Sequence, residues 1–354
     1  MPEVRHEIAS AEGRRDEAGA QRTVEGSERQ KRDFEAAHAQ AISELQRIRK
    51  KPLVVLFYPS SPVSGNMERR DVEQLYSEIR SAGWTRERPV PELDVLIHTT
   101  GGSPEAAYRM AQAIRNAAKE VTFLVPDHCY SAGTMLAFCA NEIRLGDNAG
   151  LSPIDIRLHR SGDGEDSSIE LLSLDYFRDF AIECRITTEM ELFRYKNRHD
   201  IDEDSTTDVE SKLLVEMVSQ VGALDLGYLF RNRELASEYS RVLLLEYMLK
   251  GQHDADSICE KTIRGFLHRA PSHEFHMDFH LARKFGLPVH EMSTRESDAA
   301  KAVVRSLREG AKNNVICKPL RPDYSAPFIQ SYVLKSSGEA PRRRGVKQKG
   351  RGEK

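Results

Sequence analysis

Two short stretches of the chain combine residue types that can stabilise a developing anion. The first, His98-Thr-Thr-Gly-Gly-Ser-Pro104, sets paired glycines immediately before a helix start. Ser103 is a good N-cap and Pro104 suits the first helical position. The glycines let the backbone adopt unusual dihedrals and aim N–H groups outward. The second, Asp127-His-Cys-Tyr-Ser-Ala-Gly-Thr134, puts Ser131 among small residues ahead of the apolar run Met135-Leu-Ala-Phe-Cys-Ala140. A serine there sits at the positive end of a helix, where negative charge is stabilised. Taken singly, each stretch also reads as an ordinary strand-to-helix turn.

The elements that must carry these loops alternate. Leu53 to Tyr58, Leu93 to His98, Val121 to Val125 and Glu142 to Leu145 are apolar runs of strand length. Such runs suit strands buried on both faces. Helical patterns fill Met67 to Ala82 and Pro104 to about Lys119, the latter with the stripe Ala107, Met110, Ala111, Ile114 and Ala118. This order predicts right-handed crossovers and a parallel sheet. The Gly-Gly turn and Ser131 then lie side by side at the sheet's carboxyl edge, where sites form. From about Leu171 to Leu307 the pattern becomes mostly helical.

Lys and Arg total 52 against 55 Asp and Glu, a net charge of −3 that disfavours a globally basic nucleic-acid binder. The longest apolar runs fall short of the ~20 residues that span a bilayer. Five widely spaced cysteines without a CxxC suit reduced thiols in a cytoplasm. No secretory leader is evident in the charged first fifty residues. Residues 1–47 read as a charged arm, partly helical from about Phe34, with the thin apolar stripe Phe34, Ile42, Leu45 and Ile48. Residues 48–200 read as the core and 201–310 as a helical continuation of it. Residues 311–354 read as an extended segment with a basic, disordered tail.

Three stretches taken together resemble the serine dehydrogenase proteinase family, related to signal peptide peptidase A and the Clp protease proteolytic subunit. They are Ile97-His-Thr-Thr-Gly-Gly-Ser103, Val125-Pro-Asp-His-Cys-Tyr-Ser-Ala-Gly-Thr134 and Leu151-Ser-Pro-Ile-Asp155. A later landmark, Pro271 to His276 and on through Ala282 to Val289, is similar as well. The chain departs from the family strings at Thr100, where proline is usual, at Tyr130 (methionine) and at Ser152 (glycine). The resemblance implies an α/β fold of the ClpP/crotonase type and a serine peptidase working through an acyl-enzyme. By position, Ser131 is the implied nucleophile, and the Gly101–Gly102 and Ala132 backbone the oxyanion hole. A peptide or protein substrate and a homo-oligomer are implied, with no cofactor and no bound metal.

The general base stays open. His159 is the best local histidine, with Asp155 orienting it, binding a substrate amide or capping a turn. A Ser–Lys pair would need Lys119 or Lys196 brought in by long-range folding. His98, His128 and His273 are supporting candidates that shape the loops or contribute remotely. His276 and His280, four apart, could share a helix face as a metal pair, although packing is the simpler reading. Two other functions keep the same fold: an acyl-CoA hydratase or isomerase, and a non-catalytic scaffold that has lost its base.

Overall fold

The computed structural model describes residues 28–58, 66–155, 157–160, 170–173, 182, 212, 215, 223–268, 275–312 and 332–333. A helix over residues 28–49 (α1) leads into β1 (Leu53–Phe57), α2 (Arg69–Ser81), β2 (Val90–His98), α3 (Pro104–Ala117) and β3 (Ala118–Val125). Then come β4 (His128–Cys129), α4 (Ala132–Ala137), β5 (Glu142–Leu145) and β6 (Gly150–Leu151), followed by a hairpin of β7 (Arg157–Arg160) and β8 (Glu170–Ser173). The carboxyl-terminal part holds α5 (Ala223–Leu243), α6 (Ala255–Ile263), α7 (Phe279–Lys284), β9 (Val289–Glu291), α8 (Thr294–Lys312) and β10 (Tyr332–Val333).

Six strands form one sheet in the order β10-β1-β2-β3-β5-β9, every described pairing parallel. Its strands are apolar throughout because both faces are covered. Val54, Leu56, Val95, Ile97, Val121 and Phe123 face the core shared with α2, α3 and α4. Alternate residues Leu53, Val55, Phe57, Leu96 and Leu124 face a second core completed by α1 and α8. The parallel α/β sheet expected from the strand–helix alternation is therefore present, and β1, β2, β3 and β5 lie where the four apolar runs fall.

The described part of the arm expected over residues 1–47 is helical, as expected from about Phe34, and the helix starts earlier. Residues 28–49 are a continuous helix that buries Phe34, Ile42 and Leu45 on the sheet. Each such side chain contributes roughly 1.5–3 kcal/mol when fully buried. The thin stripe sufficed because α8 supplies the rest of that layer, through Val303, Val304 and Leu307. At the sheet's amino edge, Arg49 grips Asp94 with two nitrogens, at 2.7 and 3.1 Å, and Glu296 with a third at 2.6 Å. Arg144 joins through Glu296 at 3.3 Å. The carboxyl-terminal tail beyond residue 333 lies outside the described residues.

Candidate active site

Above the carboxyl ends of the strands sits a small second layer. β4 pairs with β6 in parallel; Thr99 bridges Cys129 on one side and Leu151 bridges Met277 on the other. This layer aligns the two loops singled out by sequence. Thr99 donates its N–H to the His128 carbonyl at 3.2 Å and accepts from the Tyr130 N–H at 3.0 Å. The Gly-Gly turn is thereby fastened one residue before Ser131.

The turn itself needs glycine. Gly101 and Gly102 take φ values of 121° and 145°, a region L side chains rarely adopt. Space closes it further. A Cβ on Gly102 would lie 2.3 Å from the Met67 nitrogen, and one on Gly101 would lie 2.8 Å from Ser131 Cβ and 3.2 Å from its Oγ. Met67 locks the turn from outside, donating its N–H to the Gly101 carbonyl and accepting from the Ser103 N–H, both at 2.9 Å. Ser103 caps α3 as expected, accepting from the Ala106 N–H at 3.3 Å.

Ser131 occupies a strained turn between β4 and α4, with φ 51° and ψ −120°. Holding a non-glycine residue there costs of order 1–3 kcal/mol, and such strain clusters at functional sites. The residue is 8% exposed, and its hydroxyl makes no hydrogen bond among the described residues. Its N–H is committed, donating to Ser152 Oγ at 2.8 Å. The next N–H, on Ala132, has no partner among the described residues, and neither has that of Gly102. Gly101 differs: its N–H donates to Thr99 Oγ1 at 3.0 Å, which removes it as an available donor. Of the three residues expected to supply N–H groups, Gly102 and Ala132 keep theirs uncommitted.

His98 and His128 form a separate cluster with Asp127 and Arg308. The two imidazoles lie 3.9 Å apart, His98 stacks on Phe57, and His128 stacks on Tyr130. Arg308 donates to Asp127 and lies 3.4 Å from His98 Nε2. Arginine can only donate, so Nε2 carries the lone pair and the His98 proton sits on Nδ1, 3.7 Å from Asp127. Burial, with His128 and Arg308 alongside, pushes His98 down to about 3, so it stays neutral. A hydrogen bond from His128, aided by Arg308, holds Asp127 below the usual carboxylate range despite burial. Two imidazoles and a carboxylate are the donor set of a metal site. Here the His98 Nδ1 lone pair is protonated and the Asp127 charge is matched by Arg308. The arrangement explains itself as an ion-pair cluster fastening α8 to the strand ends.

His276 approaches from the opposite side. Its ring packs on Gly150 and its Nδ1 is 3.4 Å from the Tyr130 hydroxyl. It precedes α7, whose N-cap is Asp278, so His276 and His280 do not share a helix face and the metal-pair reading falls. Asp155 is half-buried at the end of the segment that includes Ser152. His159 lies in β7 opposite Leu171, and its side chain is outside the described residues, as are His273 and Lys196 entirely. Lys119 sits in β3 near the start of the strand, away from the carboxyl edge, and is exposed. Residue reading missed Ser152 as a partner of the Ser131 turn, and Arg308 as a partner of His98. The only signal for the first was a serine where the related strings have glycine; nothing in the sequence signalled the second.

Residues 30–168 match a family model described as ClpP-like SDH-type serine proteinase. Two uncharacterized proteins of Methanocaldococcus jannaschii are similar. MJ0137 is 28% identical over 136 residues, covering 36% of this chain and 46% of that protein. MJ1495 is 33% identical over 63 residues, covering 18% and 22%. The chain thus spans less than half the length of either relative. Among solved structures, a mutant of the 1510-N membrane-bound stomatin-specific protease aligns at 18% identity and TM-score 0.27, over 37% of this chain and 60% of that one. ClpP1 from Listeria monocytogenes aligns at 12% identity and TM-score 0.32, over 68% and 92%. Over residues 30–168, which hold the Gly101–Gly102 turn and Ser131, this chain is similar to the ClpP-like SDH-type serine proteinase family.

Proposed function

We propose that this chain is a serine peptidase that cleaves peptide bonds through an acyl-enzyme on Ser131. The observation that carries the reading is the strained Ser131 beside Gly101, flanked by the uncommitted N–H groups of Gly102 and Ala132. Ser131 Oγ attacks the peptide carbonyl, losing its proton to a general base. The carbonyl oxygen, now negative, takes hydrogen bonds from Gly102 and Ala132. Collapse breaks the C–N bond, the amine leaves with the proton, and water then hydrolyses the ester. One such donor is typically worth ~10²–10³ in rate. His159, oriented by Asp155, is the base within this proposal. The chemistry calls for no cofactor. A peptide or protein substrate, a homo-oligomer and a cytoplasmic setting belong to the same proposal. No described helix is long and apolar enough to cross a membrane.

One observation favours a second reading. Among the described residues no hydrogen bond joins Ser131 Oγ to a basic group, as a scaffold that has lost its base would have it. Hydratase or isomerase chemistry is less suited, since it runs on acid–base carboxylates where this turn presents a hydroxyl. Intact-mass analysis after treatment with a fluorophosphonate probe separates the readings. The wild type is expected to take one adduct and Ser131→Ala none. A folded wild type that neither labels nor cleaves peptides would overturn the peptidase and leave the scaffold.

A further inference from the structure

We infer that Ser152 is a positioning residue for the nucleophile, bracing the Ser131 turn through a side-chain hydrogen bond. Ser131 N–H donates to Ser152 Oγ at 2.8 Å, and Ser152 is 2% exposed. The Ser152 hydroxyl in turn donates to the Pro153 carbonyl at 3.1 Å, which directs its proton away and leaves a lone pair for Ser131. Thr134 fixes the brace from behind. Its hydroxyl donates to the Cys129 carbonyl at 2.8 Å, lies 3.0 Å from the Ser152 carbonyl, and accepts the Ser152 N–H at 3.2 Å.

This clamp ties Ser131 and Thr134 to one residue of another segment, and Thr134 in turn holds the Cys129 carbonyl before the turn. A buried N–H without a partner disfavours the conformation that buries it. With φ at 51°, the Ser131 backbone has a ready escape to ordinary angles, and Ser152 holds it back. The brace also divides the donors. By occupying the Ser131 N–H, it leaves the Ala132 N–H as the group offered beside the hydroxyl.

The catalytic consequence rests on the peptidase reading; the brace itself does not. Two measurements separate them. Hydrogen-exchange mass spectrometry over residues 129–136 should show at least tenfold faster exchange in Ser152→Ala, with protection restored in Ser152→Thr, which keeps the acceptor. Fluorophosphonate labelling should slow at least tenfold in Ser152→Ala and recover in Ser152→Thr. The comparison variant is Val303→Ala, a core change on the other face of the sheet, which lowers the melting temperature but should label at the wild-type rate. Unchanged exchange in Ser152→Ala would overturn the brace. Faster exchange with unchanged labelling would overturn its role in positioning the nucleophile. A wild type that does not label defeats the peptidase reading, and with it the catalytic consequence, while exchange still decides the brace.

Discussion

At Ser131 the chain holds a β-carbon where L residues rarely sit, and the neighbours that allow it have no β-carbon at all. Gly101 faces the serine side chain and Gly102 faces the Met67 backbone, so the two glycines should fail differently. Gly101→Ala drives a methyl into Ser131 Cβ and Oγ. It should abolish fluorophosphonate labelling while costing about 1–3 kcal/mol of stability in thermal melts. Gly102→Ala meets backbone that is itself hydrogen-bonded, and the larger drop in melting temperature should fall there. Labelling retained in Gly101→Ala would contradict the packing of that glycine on Ser131. Both glycines were legible because a positive φ restricts residue type, and Ser131 stood out as a small hydroxyl residue ahead of an apolar helix. Arg308 was not, because one arginine among many carries no mark of the aspartate it will meet 181 positions away.

Among the elements, α1 shows how a weak pattern becomes a strong helix through its neighbours. His38, on its inner face, is 1% exposed and within 2.8 Å of Ser306 on α8. The Ser306 hydroxyl donates to the Val303 carbonyl, so His38 Nδ1 must donate to Ser306, leaving Nε2 buried with no partner among the described residues. Burial pushes His38 down to about 4 from 6.5. The unfolded chain therefore binds a proton below pH 6.5 that the folded chain refuses until about pH 4. Stability from this group is complete above pH 6.5 and is lost as pH falls between those values. At pH 5 the loss is about 2 kcal/mol. Urea midpoints at pH 7 and 5 should show it, and His38→Gln should shrink the difference by that amount; an equal pH dependence in both proteins would refute the assignment. Sequence periodicity located the sheet and α2 and α3 because their apolar runs are long. It undervalued α1, whose three anchors matter only with α8 beside them, and it did not foresee the two-residue strands β4 and β6.

Over the whole molecule, the buried ion group at the amino edge joins α1, β2, β5 and α8 through four side chains. Asp94 is 1% exposed at its side chain and Arg49 10%, so neither charge has water to fall back on. Arg49→Met should destabilise the protein by roughly 3–5 kcal/mol, because it strands a buried carboxylate. Adding Asp94→Asn should recover a large part of that loss, and equilibrium unfolding of the single and double variants tests both statements. A double variant no more stable than the single would refute the pairing. The parallel sheet and the site edge could be read from local pattern, whereas this network could not, since its partners are up to 247 positions apart. The two charged groups have α8 in common: Glu296 enters the amino-edge network near the helix start, and Arg308 meets Asp127 near its end. They lie twelve positions apart along the helix, about 18 Å at 1.5 Å per residue. That stretch acts as a gauge block between opposite poles. One residue inserted within it would swing Arg308 by about 100° around the helix axis, parting it from Asp127 with both pairing residues still present in the sequence.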